Sequence, residues 1–413
     1  MMDFMSGMLL ASAYPLESGQ MHSKQAGRYD IVRTLPKESD SIHNMFAYAR
    51  VEGTLRVASI YHRHEGHDRS AVSVGGLFGF HTAAYQGVNL HVKATTSQYI
   101  AWINHDASKP TLSHDFFNAT GDSFTYLSHA NVRYENATMA LTLGRMALHT
   151  PYVDTDDIRM AANSFEGLSS HISMTDHIDM QAFYVTRWAG FDSGANQQEF
   201  TPLVEDGSGV GALGISYTPN DESSAELWYY YADAMSHILY AEYSGHYNIS
   251  EAFHLEYGVQ GSYLAAMEHA NVDGVVLGVM GIVDYGPLFC GLSYNRGFVK
   301  SHQRISDGFG AGPYYTSLDE ATLGAVSQDA VGEDVMAYRV GVGYEFESIG
   351  FVIEAVYGRL RSHEHSVNVK ESDVIVSYDI TKAITLNASL TAFHSHDDRE
   401  NFERGLVRVD YNF

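Results

Sequence analysis

Segments of about ten residues in which apolar and polar side chains alternate follow one another along most of this chain. In one of them, "AFHLEYGVQGSY", the side chains of Phe253, Leu255 and Tyr257 share one face. Glu256 and Gln260 share the other face. Successive side chains of a strand point to opposite sides, so this alternation predicts strands with one apolar and one polar face.

Eighteen such runs can be counted between about residue 44 and the last residue. Every second connection is a tight turn, such as "YENA" or "DYG", and the others are mostly long, as at 99–122, 148–162, 191–208 and 298–335. The runs have the length of roughly 9–11 residues that a tilted strand needs to cross a bilayer. Short turns at one end and longer loops at the other are typical of transmembrane barrels. The sequence therefore predicts an all-β fold, an antiparallel transmembrane β-barrel of about eighteen strands.

The composition excludes several other classes of protein. No stretch approaches the roughly 18 consecutive apolar residues that a transmembrane helix needs, and the mean hydropathy is -0.19. The formal charge of -25, from 25 basic and 50 acidic residues, argues against a nucleic-acid partner, because phosphate contacts need clustered Lys and Arg. Cys290 is the only cysteine, which excludes internal disulfides and thiolate metal sites. The sequence contains no G-x-S-x-G, H-E-x-x-H or phosphate-binding motif, so we expect no enzymatic activity.

The N-terminal part of the chain is interpreted separately. A short apolar run is followed by Ala11-Ser12-Ala13, a small-x-small pattern of the kind that signal peptidases cleave. We interpret residues 1–13 as the remainder of a secretory signal, and the alternative is an ordinary disordered N-terminus. Residues 14–43 show little alternation and are assigned to a periplasmic or plug-like extension. The barrel is then expected to occupy residues 44–413.

The alternation also predicts which side chains line the barrel. Aromatic and branched aliphatic side chains share the face that lipid contact requires, while polar side chains share the face that a water-filled lumen allows. We expect pore-lining positions on the eleventh strand and on the last two strands. They are Glu256, Gln260, Asn387, Ser389, Arg408, Asp410 and Asn412.

Residues 141–168, "LTLGRMALHTPYVDTDDIRMAANSFEGL", resemble the third-loop region of the OprD-type outer membrane porin family, which includes the major outer membrane proteins of epsilonproteobacteria. In that family a Gly-Arg or Gly-Lys pair, a Thr-Pro, an Asp-Asp-x-Arg stretch and a Phe-x-Gly follow one another. Here these are Gly144-Arg145, Thr150-Pro151, Asp156-Asp157-Ile158-Arg159 and Phe165-Glu166-Gly167. The resemblance implies an eighteen-stranded barrel, often trimeric, whose third loop folds inward and narrows the channel.

On this resemblance, Asp154, Asp156, Asp157 and Arg159 are expected at the pore constriction. Opposed acidic and basic groups there would set a transverse field and filter solutes by charge and size. The alternative is a solvated loop with local ion pairs worth under about 1 kcal/mol.

One departure from the family bears on selectivity. Members that take carboxylates carry a ladder of lumenal arginines, part of it on the penultimate strand, where this chain has the neutral Asn387 and Ser389. Arg408 is one remaining candidate rung, with Asp410 beside it. Together with the negative net charge, this predicts passive diffusion of small hydrophilic solutes and ions through a cation-preferring or weakly selective pore. A substrate-specific channel for small organic acids is the alternative.

The resemblance also implies a location and partners. We expect the outer membrane of a Gram-negative bacterium, with membrane lipid and lipopolysaccharide around a homotrimer. The last strand, "GLVRVDYNF", resembles the signal by which the barrel-assembly machinery recognises its substrates. Two other classes stay open: a secreted β-sandwich binding protein, and a structural or adhesin barrel that does not conduct.

Histidines are concentrated near the predicted outward loops. His62, His64 and His67 lie in the first, His363 and His365 in the eighth, and His394 and His396 in the ninth. Barrel closure would bring these loops together, and imidazoles with carboxylates suit zinc, copper or nickel. A divalent cation at the extracellular rim is therefore one interpretation, and metal-free loop histidines are the other. We expect no other cofactor.

Overall fold

The computed structural model describes residues 21–25, 29–33, 35–64, 67–104, 111–250, 252–364, 366–396 and 400–413. Residues 1–13, the expected signal peptide, lie outside the described residues. Met21–Gln25 and Tyr29–Arg33 form a separate antiparallel pair.

Eighteen antiparallel strands form a closed barrel, which confirms the predicted fold class and strand number. In chain order they are β1 Arg50–His64, β2 His67–His81, β3 Val88–Tyr99, β4 Phe124–Glu135, β5 Met139–Met146, β6 Ser164–Thr175, β7 Ile178–Ala189, β8 Val210–Asn220, β9 Ser223–Ala232, β10 Ser236–Ser250, β11 Phe253–Ala266, β12 Gly274–Tyr285, β13 Leu288–Val299, β14 Val335–Phe346, β15 Phe351–Ser362, β16 Asn368–Thr381, β17 Ile384–His394 and β18 Phe402–Asn412. The barrel closes because β18 pairs with β1, in a register that runs from Phe402 opposite His64 to Asn412 opposite Thr54.

The two faces of each strand differ as the alternation predicts. On β18, Val407 and Tyr411 are each 44% exposed on the outside, whereas Arg408 and Asp410 are 5% and 6% exposed and point inward. The same apolar, exposed outer face recurs on most of the other strands, as at Leu277 of β12. An apolar band of this kind around a barrel is the surface that contacts bilayer hydrocarbon. Closure of the sheet also leaves no open edge of unpaired backbone groups in the hydrocarbon.

Connections at one end of the barrel are tight, and those at the other end vary in length. In chain order, the connections at this second end are the first loop 65–66, second 100–123, third 147–163, fourth 190–209, fifth 233–235, sixth 267–273, seventh 300–334, eighth 363–367 and ninth 395–401. Within the described residues, helices are limited to α1 Ile42–Ala47, α2 Ala101–Asn104, α3 Leu323–Asp329 and the 3-10 turns His114–Phe116, Phe191–Ser193 and Glu347–Ile349. None of the helices in this part of the chain is long and apolar enough to cross a membrane.

Residues 35–49 pack across the end of the barrel that has the short turns. The Ser41 side chain caps α1 by accepting a hydrogen bond from the Asn44 amide, as N-cap serines do. Met45 of α1 is buried, and its carbonyl accepts a hydrogen bond from the Ala83 amide in the turn between β2 and β3. The first barrel strand begins at Arg50, so α1 spans the predicted boundary between residues 43 and 44.

Two loops fold into the barrel and fill much of its lumen. Tyr152 and Val153 of the third loop and Ile305, Tyr314 and Leu323 of the seventh loop are almost fully buried in one apolar cluster with inward side chains of the wall. An eighteen-stranded barrel is too wide for its own wall side chains to fill. The loops therefore supply the missing core, and the seventh loop folds inward as the third does.

Candidate pore constriction

The third loop enters the lumen as a small hairpin. His149–Thr150 pairs with Val153–Asp154, and the turn between them contains Pro151 and Tyr152. The Thr150 hydroxyl closes this turn by donating to the Val153 carbonyl at 2.9 Å. This geometry places the acidic stretch that follows, residues 154–157, inside the barrel.

The seventh loop runs alongside this hairpin and bonds to it. The Asp154 amide donates to the Phe309 carbonyl, and the Phe309 amide donates to the Tyr152 carbonyl, each at 2.9 Å. Gly308 and Gly310 flank this contact with φ of +86° and +118°, and a Cβ on either would lie 2.4 Å from a carbonyl oxygen of the third loop. Glycine is therefore required for the backbones to approach so closely.

Asp157 ties the third loop to the seam where the barrel closes. Arg56 of β1 bonds to both Asp157 oxygens, at 2.6 and 2.7 Å, and to both Asp410 oxygens of β18, at 2.8 and 3.0 Å. Arg408 donates to the Asp157 carbonyl at 2.5 Å, and its Nε lies 3.2 Å from Asp410. Burial opposes ionisation of Asp157, but the two guanidinium groups outweigh it and lower its pKa to about 2.

A second group of charges ties the seventh loop to the same seam. Arg404 of β18 forms ion pairs with both Asp319 and Glu320. Glu320 also lies 3.3 Å from Arg159 of the third loop, whose side chain is 1% exposed and also lies 3.7 Å from Asp115 of the second loop. Three loops therefore converge on the inner wall around β18.

A cavity of about 380 Å³ lies in the middle of the barrel, bordered by Asp319 and Glu320 among others. Six of the residues singled out from the sequence line it: Asp156, Asp157, Arg159, Asn387, Ser389 and Arg408. Asp192, Asp319, Glu320, Arg339 and Asp373 line it too and were not predicted as site residues. The acidity of the seventh loop was visible in the sequence, but its position inside the barrel was not.

Asp156 and Asp192 form a carboxyl pair in this cavity. Asp192 lies in the fourth loop. Its carboxylate accepts a hydrogen bond at 2.7 Å from the side chain of Asn163, the last residue of the third loop. Burial and the nearby carboxylates of Asp192 and Asp154 raise the pKa of Asp156 to about 8. Burial raises the pKa of Asp192 as well. Asp156 therefore keeps its proton at neutral pH.

The opposite side of the lumen is strongly acidic. A cavity of about 590 Å³ lies between the third and seventh loops and the wall formed by β8 to β12. Six carboxylates line it: Asp154, Asp221, Glu222, Glu226, Glu242 and Glu256. Among the described residues that line it there is no Lys or Arg. Gln260, predicted to face the pore, is buried next to this cavity. Its side-chain nitrogen donates to the Pro313 carbonyl at 2.8 Å, and its side-chain oxygen accepts from the backbone N–H of Tyr315 at 2.9 Å, both in the seventh loop.

A third cavity, of about 1250 Å³, lies at the short-turn end and has a mixed lining that includes Arg50, Glu52, Lys93 and Arg133. The side chain of Asn412, the remaining predicted pore-lining residue, accepts a hydrogen bond from Thr54 at 2.6 Å and lies toward the same end of the barrel.

The predicted rim histidines are spread over several elements. His62 and His64 of β1 have ring centroids 6.4 Å apart, while His67, His363, His394 and His396 are exposed. His365 lies outside the described residues. No group of three or more His, Cys, Asp or Glu side chains in the described ranges is arranged to hold a metal ion. The metal site stays a prediction.

The sequence matches the family model for outer membrane porins of the OprD family over residues 78–276. No match was found among curated proteins. Among solved structures, the fold is similar to that of OpdK from Pseudomonas aeruginosa, crystallised with vanillate, with a TM-score of 0.75, 14% identity, and coverage of 89% of this chain and 99% of that one. OccAB3 from Acinetobacter baumannii has a TM-score of 0.75 at 12% identity, with coverage of 89% and 100%. OccK9 (OpdG) from Pseudomonas aeruginosa has a TM-score of 0.74 at 14% identity, with coverage of 90% and 99%.

Proposed function

Because this chain belongs to the OprD family of outer membrane porins, we propose that its lumen passes small hydrophilic solutes and ions passively and prefers cations. The location that follows from the family is the bacterial outer membrane. The members of this family are channels, and we propose no catalytic step for this chain.

The observation that carries the proposed selectivity is the difference between the two sides of the lumen. Six carboxylates face the cavity beside β8 to β12 without a Lys or Arg among the described lining residues. The arginines on the opposite side, Arg56, Arg404 and Arg408, are all paired with carboxylates. Asp154 lies 3.1 Å from His149, whereas the other five carboxylates have no Lys or Arg beside them in the described lining. An excess of one sign of charge concentrates ions of the opposite sign. The excess charge here is negative, so cations are favoured.

We further propose that Asp154, Asp156, Asp157 and Arg159 narrow the pathway. This proposal is supported by the ion pairs and hydrogen bonds that hold the third loop against β1, β18 and the seventh loop. Side chains that are anchored in this way keep a fixed distance from the acidic side. Solutes would then be sorted by size as well as by charge.

A channel for small organic acids is the second candidate. It is favoured by Arg56, Arg404 and Arg408, which point inward from adjoining strands, because guanidinium groups bind carboxylates in a bidentate manner. The paired state of all three arginines argues against it.

The partners of the barrel follow from the same family assignment. We propose that the apolar outer face contacts membrane lipid and lipopolysaccharide, that three copies assemble, and that the barrel-assembly machinery recognises residues 405–413. A divalent cation at the extracellular rim, held by the loop histidines, is proposed as an optional ligand only.

The proposal is tested in planar bilayers under a KCl gradient. The triple variant Glu226→Gln, Glu242→Gln, Glu256→Gln should lose most of the cation preference. The matched control, Glu268→Gln, Glu347→Gln, Glu364→Gln, removes three charges from exposed positions and should behave as wild type. Equal shifts in both variants would mean that total charge, and not the acidic cavity, sets selectivity. A folded barrel without conductance would favour the structural or adhesin alternative.

A further inference from the structure

We propose that Asp319 and Glu320 of the seventh loop are specificity-determining residues, which act as built-in counter-ions and prevent solute carboxylates from binding to the arginines of the barrel wall. The inference rests on the proposed passage of ions through this lumen. It assigns the rejection of organic anions to two residues that do not belong to the barrel wall.

The first step is the geometry of the arginines. Arg404 and Arg408 both point inward from β18, four residues apart, which places their Cα atoms about 13 Å from each other along the strand. Arg56 points inward from the neighbouring β1, where it lies opposite Asp410 in the register. All three are about 5% exposed. A row of inward guanidinium groups of this kind is suited to carrying carboxylates along a wall.

The second step is that loop carboxylates already occupy this row. Asp319 and Glu320 both pair with Arg404, and Glu320 also pairs with Arg159. Asp157 of the third loop forms ion pairs with Arg56 and Arg408. The whole group holds four arginines and five carboxylates, which are Asp115, Asp157, Asp319, Glu320 and Asp410. Its formal charge is therefore negative.

The third step is that the seventh loop is fixed in the position that this role requires. Glu371 of β16 accepts hydrogen bonds from the amides of Glu320 and Ala321, at 2.9 and 2.7 Å. Thr391 of β17 donates to Asp319 at 2.8 Å. A carboxylate held in place by its own chain has a high effective concentration at the arginine. A dissolved carboxylate would have to displace it and would gain little.

Removal of the two charges would expose cationic groups to the solute path. Asp319, Glu320 and Arg159 all line the central cavity of about 380 Å³. Neutral side chains at positions 319 and 320 would leave Arg404 without both of its acidic partners and Arg159 without one. The cavity would then attract anions.

The experiment compares Asp319→Asn with Glu320→Gln, singly and together, in planar bilayers. For the double variant we expect the permeability ratio of K⁺ to Cl⁻ to fall by roughly threefold or more, and a benzoate current to appear when chloride is replaced by benzoate. The conservative variant Asp319→Glu should keep the wild-type ratio. The matched control, Asp329→Asn with Glu347→Gln, also removes two negative charges, from exposed positions on the seventh loop and on a short turn, and should keep it as well. Heat-modifiable migration in gel electrophoresis verifies that each variant is folded. If the double variant does not fold, the permeability ratios of the two single variants are compared with wild type instead.

A second-site variant separates this mechanism from a simple movement of the loop. Addition of Arg404→Gln to the double variant should abolish the gain in anion permeability. If the gain survives Arg404→Gln, or if conductance rises while the ratio stays constant, the inference is wrong. The ratio of the wild-type channel tests the proposed function, whereas the change between wild type and variant tests the counter-ion role, so the two failures are distinguishable.

Discussion

The hydroxyl groups of Tyr152 and Tyr314 lie 2.9 Å apart inside the barrel, and this contact joins the third loop to the seventh. Tyr314 also donates to the Ser306 carbonyl at 3.0 Å, and the Tyr152 ring packs edge-on against Tyr230 of β9 with centroids 5.5 Å apart. Both tyrosines are almost completely buried. The two loops therefore form one packed unit inside the barrel.

We expect Tyr314→Ala to destabilise the folded barrel by about 3–5 kcal/mol, because it leaves a cavity where an aromatic ring was packed. Tyr314→Phe keeps the ring and loses hydrogen bonds worth about 1 kcal/mol each, so its effect should be smaller. Urea unfolding in detergent measures both, and single-channel recordings should show noisier current for Tyr314→Ala. The exposed Tyr285 provides the control variant Tyr285→Ala. Wild-type stability of Tyr314→Ala would show that the loops do not support each other.

We expect Asp157→Asn to cost about 3–5 kcal/mol at neutral pH, because it leaves Arg56 and Arg408 with Asp410 as their remaining acidic partner. The arginines hold the pKa of Asp157 at about 2, below the ordinary value of about 3.9. Its stabilising effect is therefore fully present above about pH 4 and is lost as the pH falls through about 2. The difference in unfolding free energy between wild type and variant should shrink between pH 5 and pH 2. A difference that is independent of pH would contradict the role of this ion pair.

The Asp156 and Asp192 pair predicts a pH-dependent selectivity on the alkaline side. The pKa of Asp156 is raised to about 8, so a rise from pH 7.5 to 9.5 removes its proton and adds one negative charge to the central cavity. The permeability ratio of K⁺ to Cl⁻ should rise by roughly twofold over this interval. Asp156→Asn should abolish the change, and Asp192→Asn should move it to lower pH by removing the neighbouring carboxylate. A ratio that changes equally in Asp156→Asn would assign the titration to another group.

Gly144 of β5 is expected to tolerate no side chain. Its φ is +123°, and a Cβ would lie 2.2 Å from the Ala130 carbonyl of the neighbouring strand. Gly144→Ala should therefore destabilise the barrel by about 1–3 kcal/mol or more and lower the refolding yield. At Gly211 of β8 the nearest atom to such a Cβ is 3.5 Å away, and Gly211→Ala should change stability by less than about 0.5 kcal/mol. Heat-modifiable electrophoresis and urea unfolding compare the two, and equal stability would refute the steric argument.

The sequence was sufficient to predict the barrel because its two faces meet different solvents. Lipid outside and water or polar contacts inside impose a period of two on every strand, and errors were confined to strand ends: the last strand was predicted at 405–413 and is Phe402–Asn412. The inward face of β18 was likewise predictable from alternation alone.

The loop contacts were not predictable because they depend on chain segments that are far apart in the sequence. Arg56 was not recognised as a site residue, although it occupies a polar position of β1 and lies opposite Asp410, 354 residues away. Closure of the barrel is the signal that could have identified it, since closure puts the polar positions of β1 beside those of β18. For Arg404, Asp319 and Glu320 the sequence offers no such rule, because the path of a long loop through a wide lumen is determined by packing.

The most direct test of the proposed function is the reversal potential of the wild-type channel in planar bilayers under a tenfold KCl gradient at pH 7.5. The excess of unpaired carboxylates in the lumen predicts a potential displaced toward the equilibrium potential of K⁺. Displacement toward the equilibrium potential of Cl⁻ would contradict the account, because it would mean that the wall arginines are available to anions despite their loop counter-ions.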